Sequence, residues 1–468
     1  MKKLVGFYSV ALIFLMLAVP VLSTGCGCLR QACQPYGPRV TGNGTGGAIA
    51  VYEAIKDNYQ RDFYVQKISP EGKAVWGEGG VLIGRVYKEC DSYFSLFIVD
   101  DGSGGAFIVW SGYPSEPDWR LAPGQRQIEY LTHITRVDAE GSIMWQREVM
   151  GAGHVVSDGT SGVLVASDES YDEETLFVIK IDSEGNFPWG EKGVYTRREG
   201  YCDHTLGLVS DGNGGAIFIW QERKGEPGKK TTRIFTQRIN AEGSLPWGQD
   251  GVLLYTTSEE VNAEEPRITS DGSGGAIIVW LQWPKGRIES GMPEALLHDI
   301  YAQRVDAQGK ALWTDNGVPL GITKGGGEYP RTALVVSDGA SGAIILWQGT
   351  YAQNIGADGN IKWQPSGKLL SSSGPQRAVS DGSGGAIFTF GRIRAQRIDA
   401  DGRTMWPDDG ILFTDSKGTH DISCDGYGGA VIAWGIGKDM FSSEKSYVQR
   451  ISADGKLLWG DKGIRLNP

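Results

Sequence analysis

Three observations predict an all-β fold for this chain, an eight-bladed β-propeller of four-stranded antiparallel blades. One unit recurs eight times between residues 38 and 468, each unit divides into four short segments at Gly-rich turns, and its second segment is apolar at every position. The composition agrees. Gly accounts for 69 of the 468 residues and only 22% are charged, which excludes a coiled coil, and no G-X-Y period supports a collagen. A hydrophobic share of 40% with 15 Trp and 18 Tyr is ample for a packed core and excludes wholesale disorder. The formal charge of −11, from 45 basic and 56 acidic residues, repels nucleic acid and anionic lipid, so no nucleic-acid partner is expected.

The unit is clearest over residues 266 to 318: P-R-I-T-S-D-G-S-G-G-A-I-I-V-W, a variable loop, then D-I-Y-A-Q-R-V-D-A-Q-G-K-A-L-W-T-D-N-G-V. In the second half, Gly72, Gly141, Gly185, Gly243, Gly309, Gly359, Gly402 and Gly455 are each followed four residues later by Trp76, Trp145, Trp189, Trp247, Trp313, Trp363, Trp406 and Trp459. In the first half, Asn43, Asp101, Asp158, Asp211, Asp271, Asp338, Asp381 and Asp425 open a Gly-rich turn. The apolar run that follows ends in Trp at 110, 220, 280, 347 and 434, with Tyr52, Ser167 and Phe390 in the other three units.

Each unit reads as strands a (P-R-I-T-S), b (G-A-I-I-V-W), c (I-Y-A-Q-R-V-D) and d (K-A-L-W and its tail). The D-G-S-G-G and D-A-Q-G links are hairpin turns, where Gly supplies positive φ and Asp caps its own turn. Strand b does not alternate, which is the pattern of a strand covered on both faces. A lone four-stranded sheet cannot supply that cover. Stacking each sheet between two others, and closing the stack into a ring, does. Spread over eight units the repeat region allows about 54 residues per unit, near the length of a propeller blade. The Trp after each c–d turn is expected between blades, burying about 150 to 250 Å² each.

At the amino terminus, Lys2 and Lys3 precede an apolar stretch from Leu4 to Leu22 and then Ser23, Thr24, Gly25 and Cys26, the order of an export signal. The end of that stretch resembles a bacterial lipobox, which implies acylation of Cys26, with ordinary secretion and an uncleaved anchor as the other outcomes. The expected organisation is a signal peptide over 1–25, an anchor segment over 26–37 and a single propeller over 38–468, exported and touching a membrane only through the amino-terminal lipid. Cys28 and Cys33 are spaced for a small loop, while Cys90, Cys202 and Cys424 fit no zinc spacing and read as single or buried thiols.

The D-A-Q-G-K-A-L-W run at 306–313 resembles the tryptophan-docking repeat of quinoprotein-type eight-bladed propellers, A-x-D-x-x-T-G-x-x-x-W, with a turn one residue shorter. The quinone-dependent dehydrogenases of that superfamily carry an adjacent Cys-Cys pair, which this chain lacks. The resemblance therefore implies the noncatalytic branch, which includes the lipid-anchored propeller of the bacterial outer-membrane assembly machinery. The repeats are also similar to those of bacterial surface and secreted proteins bearing S-D-G-x-G-G-A-x-x-x-W and Y-A-Q-R-x-D-A-x-G, which implies a propeller and no particular activity.

Functional expectations follow from the strand order, which puts the a–b and c–d hairpins on one face of the ring and the b–c and d–a links on the other. The hairpin face repeats itself, whereas the b–c link expands at 111–127, 221–231 and 281–297, and such variation on a fixed scaffold marks a binding face. Trp119 and Trp283, the two Trp outside the repeat positions, fall in these expansions, either as anchors for a protein or sugar ring or as pins for their own loops. Four residues before the turn Asp or Asn stand Arg39, Phe97, His154, Gly207, Arg267, Leu334, Arg377 and Asp421. If strand a lines the channel, Arg39, His154, Arg267 and Arg377 ring its mouth beside Asp421 and attract an anion, or form a solvated rim. The chain has no H-E-x-x-H, G-x-S-x-G or Walker loop, the Asp turns offer one carboxylate each, and Asp203, His204 and His420 come from opposite sides of the ring. No catalytic residue, cofactor or metal is therefore assigned. The expected role is a noncatalytic binding or scaffold protein for a protein or extracellular polymer. The alternative is a glycan-cleaving hydrolase with carboxylates such as Glu264, Glu265 and Glu328 at the channel mouth.

Overall fold

The computed structural model describes residues 37–56, 60–87, 96–113, 115, 131–149, 151, 153–167, 175–197, 201–202, 207–225, 231–257, 261–284, 299–322, 333–347, 350–364, 367–371, 373–416, 418–437 and 444–467. Among them there is no helix. Eight antiparallel sheets form, each from contiguous chain in the order a-b-c-d, and the fourth gains a short extra strand, Tyr201–Cys202. The inner strands are Arg39–Gly42, Leu96–Asp100, His154–Ser157, Gly207–Ser210, Val261–Ser270, Leu334–Ser337, Pro375–Ser380 and His420–Cys424. Each packs against the next, and the eighth against the first, so the sheets close into an eight-bladed β-propeller.

The unbroken apolar pattern of strand b has a direct cause. Ala48, Ala50 and Tyr52 of blade 1 pack against Val431 and Ala433 of blade 8, while the intervening Ile49 and Val51 pack against Ile108 and Trp110 of blade 2. Alternate side chains enter opposite interfaces, so every position is buried. Among the described residues eight such apolar clusters form, one at each of the eight interfaces.

The Gly and Trp of each c–d segment serve adjacent interfaces. The indole Nε1 of every one of the eight Trp donates to a carbonyl in the c–d turn of the following blade, from Trp76 to Ala139 O (3.1 Å) around to Trp459 to Pro70 O (3.0 Å). The Gly of that same turn lies over the indole: a Cβ at Gly359 would come within 2.8 Å of Trp313, and Gly72, at φ 81°, stands likewise over Trp459. Positive φ and the missing Cβ are both required there.

The Gln and Arg of Y-A-Q-R also belong to the scaffold. Gln303 accepts from the Trp313 backbone N–H (3.0 Å) and donates to Thr314 O (2.9 Å), pinning the Trp loop. Arg304 reaches back to Asp271 (2.8 Å) and forward to Ala357 O of the next blade (3.2 Å). Asp271 is buried, and its other oxygen accepts the N–H groups of Ser273 and Gly275. These buried ions are paired and hydrogen-bonded, the condition under which a buried charge is tolerated. With both oxygens engaged, the Asp turns have no carboxylate to spare for a cation.

Strand d departs from the expectation. The K-A-L-W stretch makes only an isolated bridge, as at Val305↔Ala311, and the strand proper follows the Trp, as in Val318–Ile322. In blade 1 the cause is a wide turn after Trp76, where Gly77, Gly79 and Gly80 all have positive φ. In blade 2, Gln146 and Arg147 stand after Trp145 instead, no turn forms, and Ile143–Val149 runs straight through the Trp.

Two outcomes follow. Trp313→Ala should cost about 3–5 kcal/mol, from the lost side chain and its cavity. In denaturant titrations it should also be non-additive with Gly359→Ala, because the two residues share one contact. A loss below about 1 kcal/mol would contradict this placement.

The second concerns acid. Burial opposes the charged form of Asp158, but the N–H groups of Ser161, Thr160 and Gly162 and the Thr160 hydroxyl outweigh it, lowering the carboxyl from 3.8 to about 2. A lowered folded pKa gives stability that is complete above the unfolded value and is lost as pH falls from about 4 to about 2, roughly 2 kcal/mol for this one group. Wild-type unfolding free energy should fall over that window, and Asp158→Asn should flatten the slope by about one proton.

Candidate functional site

The five described candidates at the channel stand at one level, because strand register places them there. Arg39, His154, Arg267, Arg377 and Asp421 pair with Val51, Ala166, Val279, Thr389 and Ala433, in each case the residue just before the one that ends the apolar run. In blades 5 and 7 the inner strand bulges immediately before the Arg, between Glu264 and Arg267 and between Pro375 and Arg377. A bulge re-aims the side chains that follow it. The first holds Glu265 at φ 56°, a strained backbone for a non-Gly residue, with its carboxylate 2.7 Å from Arg267.

Three of the cations interact. Burial, then Arg39 and Arg267, pushes the Arg377 guanidinium below its ordinary range, while Asp421 pulls it back. Burial, then Arg377 and Arg39, pushes His420 down to about 3, so this histidine is neutral at physiological pH. Its Nε2 is bonded to the Thr389 hydroxyl (2.7 Å) between blades 7 and 8. His420 is thus a buried interblade residue, while Asp203 and His204 lie outside the described residues. His154 is half-buried at the same level.

Asp421 has a second role. Its Oδ2 accepts from Val40 N (3.1 Å), and Ser423 Oγ from Gly42 N (2.9 Å), so side chains of the last blade bind the exposed edge of the first. No strand is exchanged at this seam, since every blade is contiguous. Arg39 bonds onward from blade 1 to Leu96 O of blade 2 (3.0 Å).

Other expectations fare differently. Trp283 lies within strand b of blade 5 (Ala276–Pro284), its backbone paired with Asn262, and not in a loop. Strand b likewise extends to Lys224 in blade 4, so part of each expected b–c loop is a lengthened hairpin. Such strands persist because apolar or β-competent residues continue beyond the usual end, as in Leu281-Gln282-Trp283. Trp119, Cys26 and Glu328 lie outside the described residues. Glu265, one of the carboxylates expected in a d–a loop at the channel mouth, lies within the inner strand Val261–Ser270 and is paired with Arg267. Among the described residues no group of three or more His, Cys, Asp or Glu is placed to hold a metal ion, and Cys424 is an exposed free thiol.

These features define an eight-bladed propeller with an arginine cluster at one end of its channel. No protein-family model matches the chain, and no curated protein matches it in sequence. Among solved structures it is similar to BamB from Moraxella catarrhalis, at 11% identity over 89% of this chain and 94% of that one, with a TM-score of 0.41. It is similar also to the β-propeller domain of the Trilobed protease from Pyrococcus furiosus, at 11% identity over 92% and 99% of the two chains and a TM-score of 0.42. Likeness of this degree assigns no activity.

Asp421→Ala removes the acceptor for Val40 and the carboxylate beside Arg377. It should destabilise by about 1–3 kcal/mol, with hydrogen exchange rising first in Arg39–Gly42 at the seam; uniform exchange across all inner strands would contradict the seam role.

Proposed function

We propose that the protein is a noncatalytic, exported scaffold that binds a protein or extracellular polymer through the b–c and d–a face. The observation that carries this reading is the clustering of Arg39, Arg267 and Arg377 at one register level of the channel, at the end where the loops differ from blade to blade. The repeated polar residues support it by contrast. The Gln, Arg and Asp of the repeat, and all eight c–d Trp, are committed to the scaffold. Variation in loop length falls on the loop face, and arginine there suits carboxylate or other anionic groups on a ligand. Tight binding at such a face is normally dominated by a few aromatic or Arg anchors, which gives Trp119 and Trp283 their place in the proposal.

Acylation of Cys26 belongs to the same reading.

The test compares two sets of variants against a ligand identified by glycan array or pull-down. Arg267→Ala, Trp119→Ala and Trp283→Ala should each weaken binding at least about tenfold, with unchanged circular dichroism. Gln308→Ala, in a c–d turn, should bind as wild type. Loss with Gln308→Ala and none with the first set would place binding on the hairpin face. Mass spectrometry of the mature amino terminus should show a diacylated Cys26; an unmodified residue at another position there would remove the anchor from the proposal.

A further inference from the structure

The hairpin face is not uniform. In seven blades the turn Asp accepts backbone N–H groups with one oxygen, and its other oxygen lies 2.7–3.1 Å from an Arg or Lys, which stands on strand c in six of them and is Lys362, beyond the c–d turn, in blade 6. Blade 1 has Asn43 at this position. Its Oδ1 accepts from Thr45 N (3.1 Å) and Gly47 N (3.0 Å), as the Asp residues do, which fixes the orientation of the amide. Nδ2 therefore takes the place of the second carboxylate oxygen. A Cβ built on Gly47 comes 2.8 Å from Asn43 Nδ2, and one on Gly105 comes 2.8 Å from Asp101 Oδ2. Nδ2 has no hydrogen-bond partner among the described residues.

Lys67 occupies the position of the strand c cations, two residues along strand b's partner from the turn, opposite Ile49 as Arg136 is opposite Phe107. It donates to Gly104 O (2.8 Å) and Ala139 O (3.1 Å) of blade 2 and, among the described residues, has no carboxylate within ion-pair distance. Asp100 is close enough to feel its charge, but caps Gly102 N and is held above the usual carboxylate range by burial. One blade thus offers two donors, an amide N–H₂ and an ammonium, where seven present a closed ion pair. Both line an open cleft of about 480 Å³ between blades 1 and 2, whose walls include Pro70 and Val75, the latter half exposed.

We propose that this cleft binds a small organic carboxylate, whose oxygens supply the acceptors that Asn43 removes from the repeat. The two donors suit the two oxygens of a carboxylate, the ammonium supplies the charge, and the exposed apolar wall suits a short hydrocarbon body. The cleft is far larger than a halide. The site is independent of the arginine cluster and stands whether or not the loop face binds a polymer.

Thermal unfolding of the full chain in acetate or butyrate, against chloride at equal ionic strength, tests it. At ten times Kd the carboxylate should raise the wild-type Tm by about 1–2 °C. Asn43→Asp, which restores the arrangement of the other seven blades, should abolish the response, as should Lys67→Gln. If Lys67→Gln fails to fold, Asn43→Asp decides alone. An equal response to chloride, a response retained in Asn43→Asp, or no wild-type response up to 0.5 M, about the ceiling for a useful weak site, would each overturn the proposal.

Discussion

The contact between an indole of one blade and the glycine turn of the next organises the molecule. It combines a hydrogen bond from Trp Nε1 to a turn carbonyl with close packing of the ring beneath a residue that has no Cβ. It is made eight times, so the interfaces share one geometry and a constant rotation between sheets closes the ring. Each contact joins two blades rather than two strands of one blade. A blade is therefore completed by its neighbours, as the apolar character of both faces of strand b also requires.

The second constraint is the pairing, in six blades, of the a–b turn carboxylate with the strand c cation. It ties a turn to a strand within one blade, and the cation's remaining donors reach the following blade, as Arg304 does to Ala357. The same few residues thus serve folding within the blade and docking between blades. Where the pattern departs, at Asn43, Lys67 keeps only its bonds to the backbone carbonyls of the next blade. A scaffold built from near-copies makes such departures informative, because the other copies show what the position does when it is purely structural.

The seam shows how contiguous blades form a ring without exchanging a strand. The free edge of Arg39–Gly42 is met by Asp421 and Ser423, side chains of the last inner strand. Asp421 also lies beside Arg377, so one residue links ring closure to the charge of the channel mouth. Any ligand that engages those arginines acts on groups that hold the first and last blades together.

Blade number and turn positions were legible in the chain itself, since Gly-x-x-x-Trp and the Asp turns recur at each repeat and their chemistry is local. The apolar run of strand b announced cover on both faces for the same reason. The roles of Gln303 and Arg304 were not legible, although both recur, because their partners lie in other turns and loops. Nor did spacing reveal that Gly359 receives Trp313 rather than its own Trp363. The register that brings Arg39, Arg267, Arg377 and Asp421 to one level was suggested by their common distance from the turn. Their mutual influence, and the bond from Val40 to a residue 381 positions away, required the closed ring. Local propensity and periodicity are written in neighbouring residues, and so the sequence alone determined the blades; charge, burial and donor satisfaction depend on which distant groups meet, and that only the tertiary structure decided.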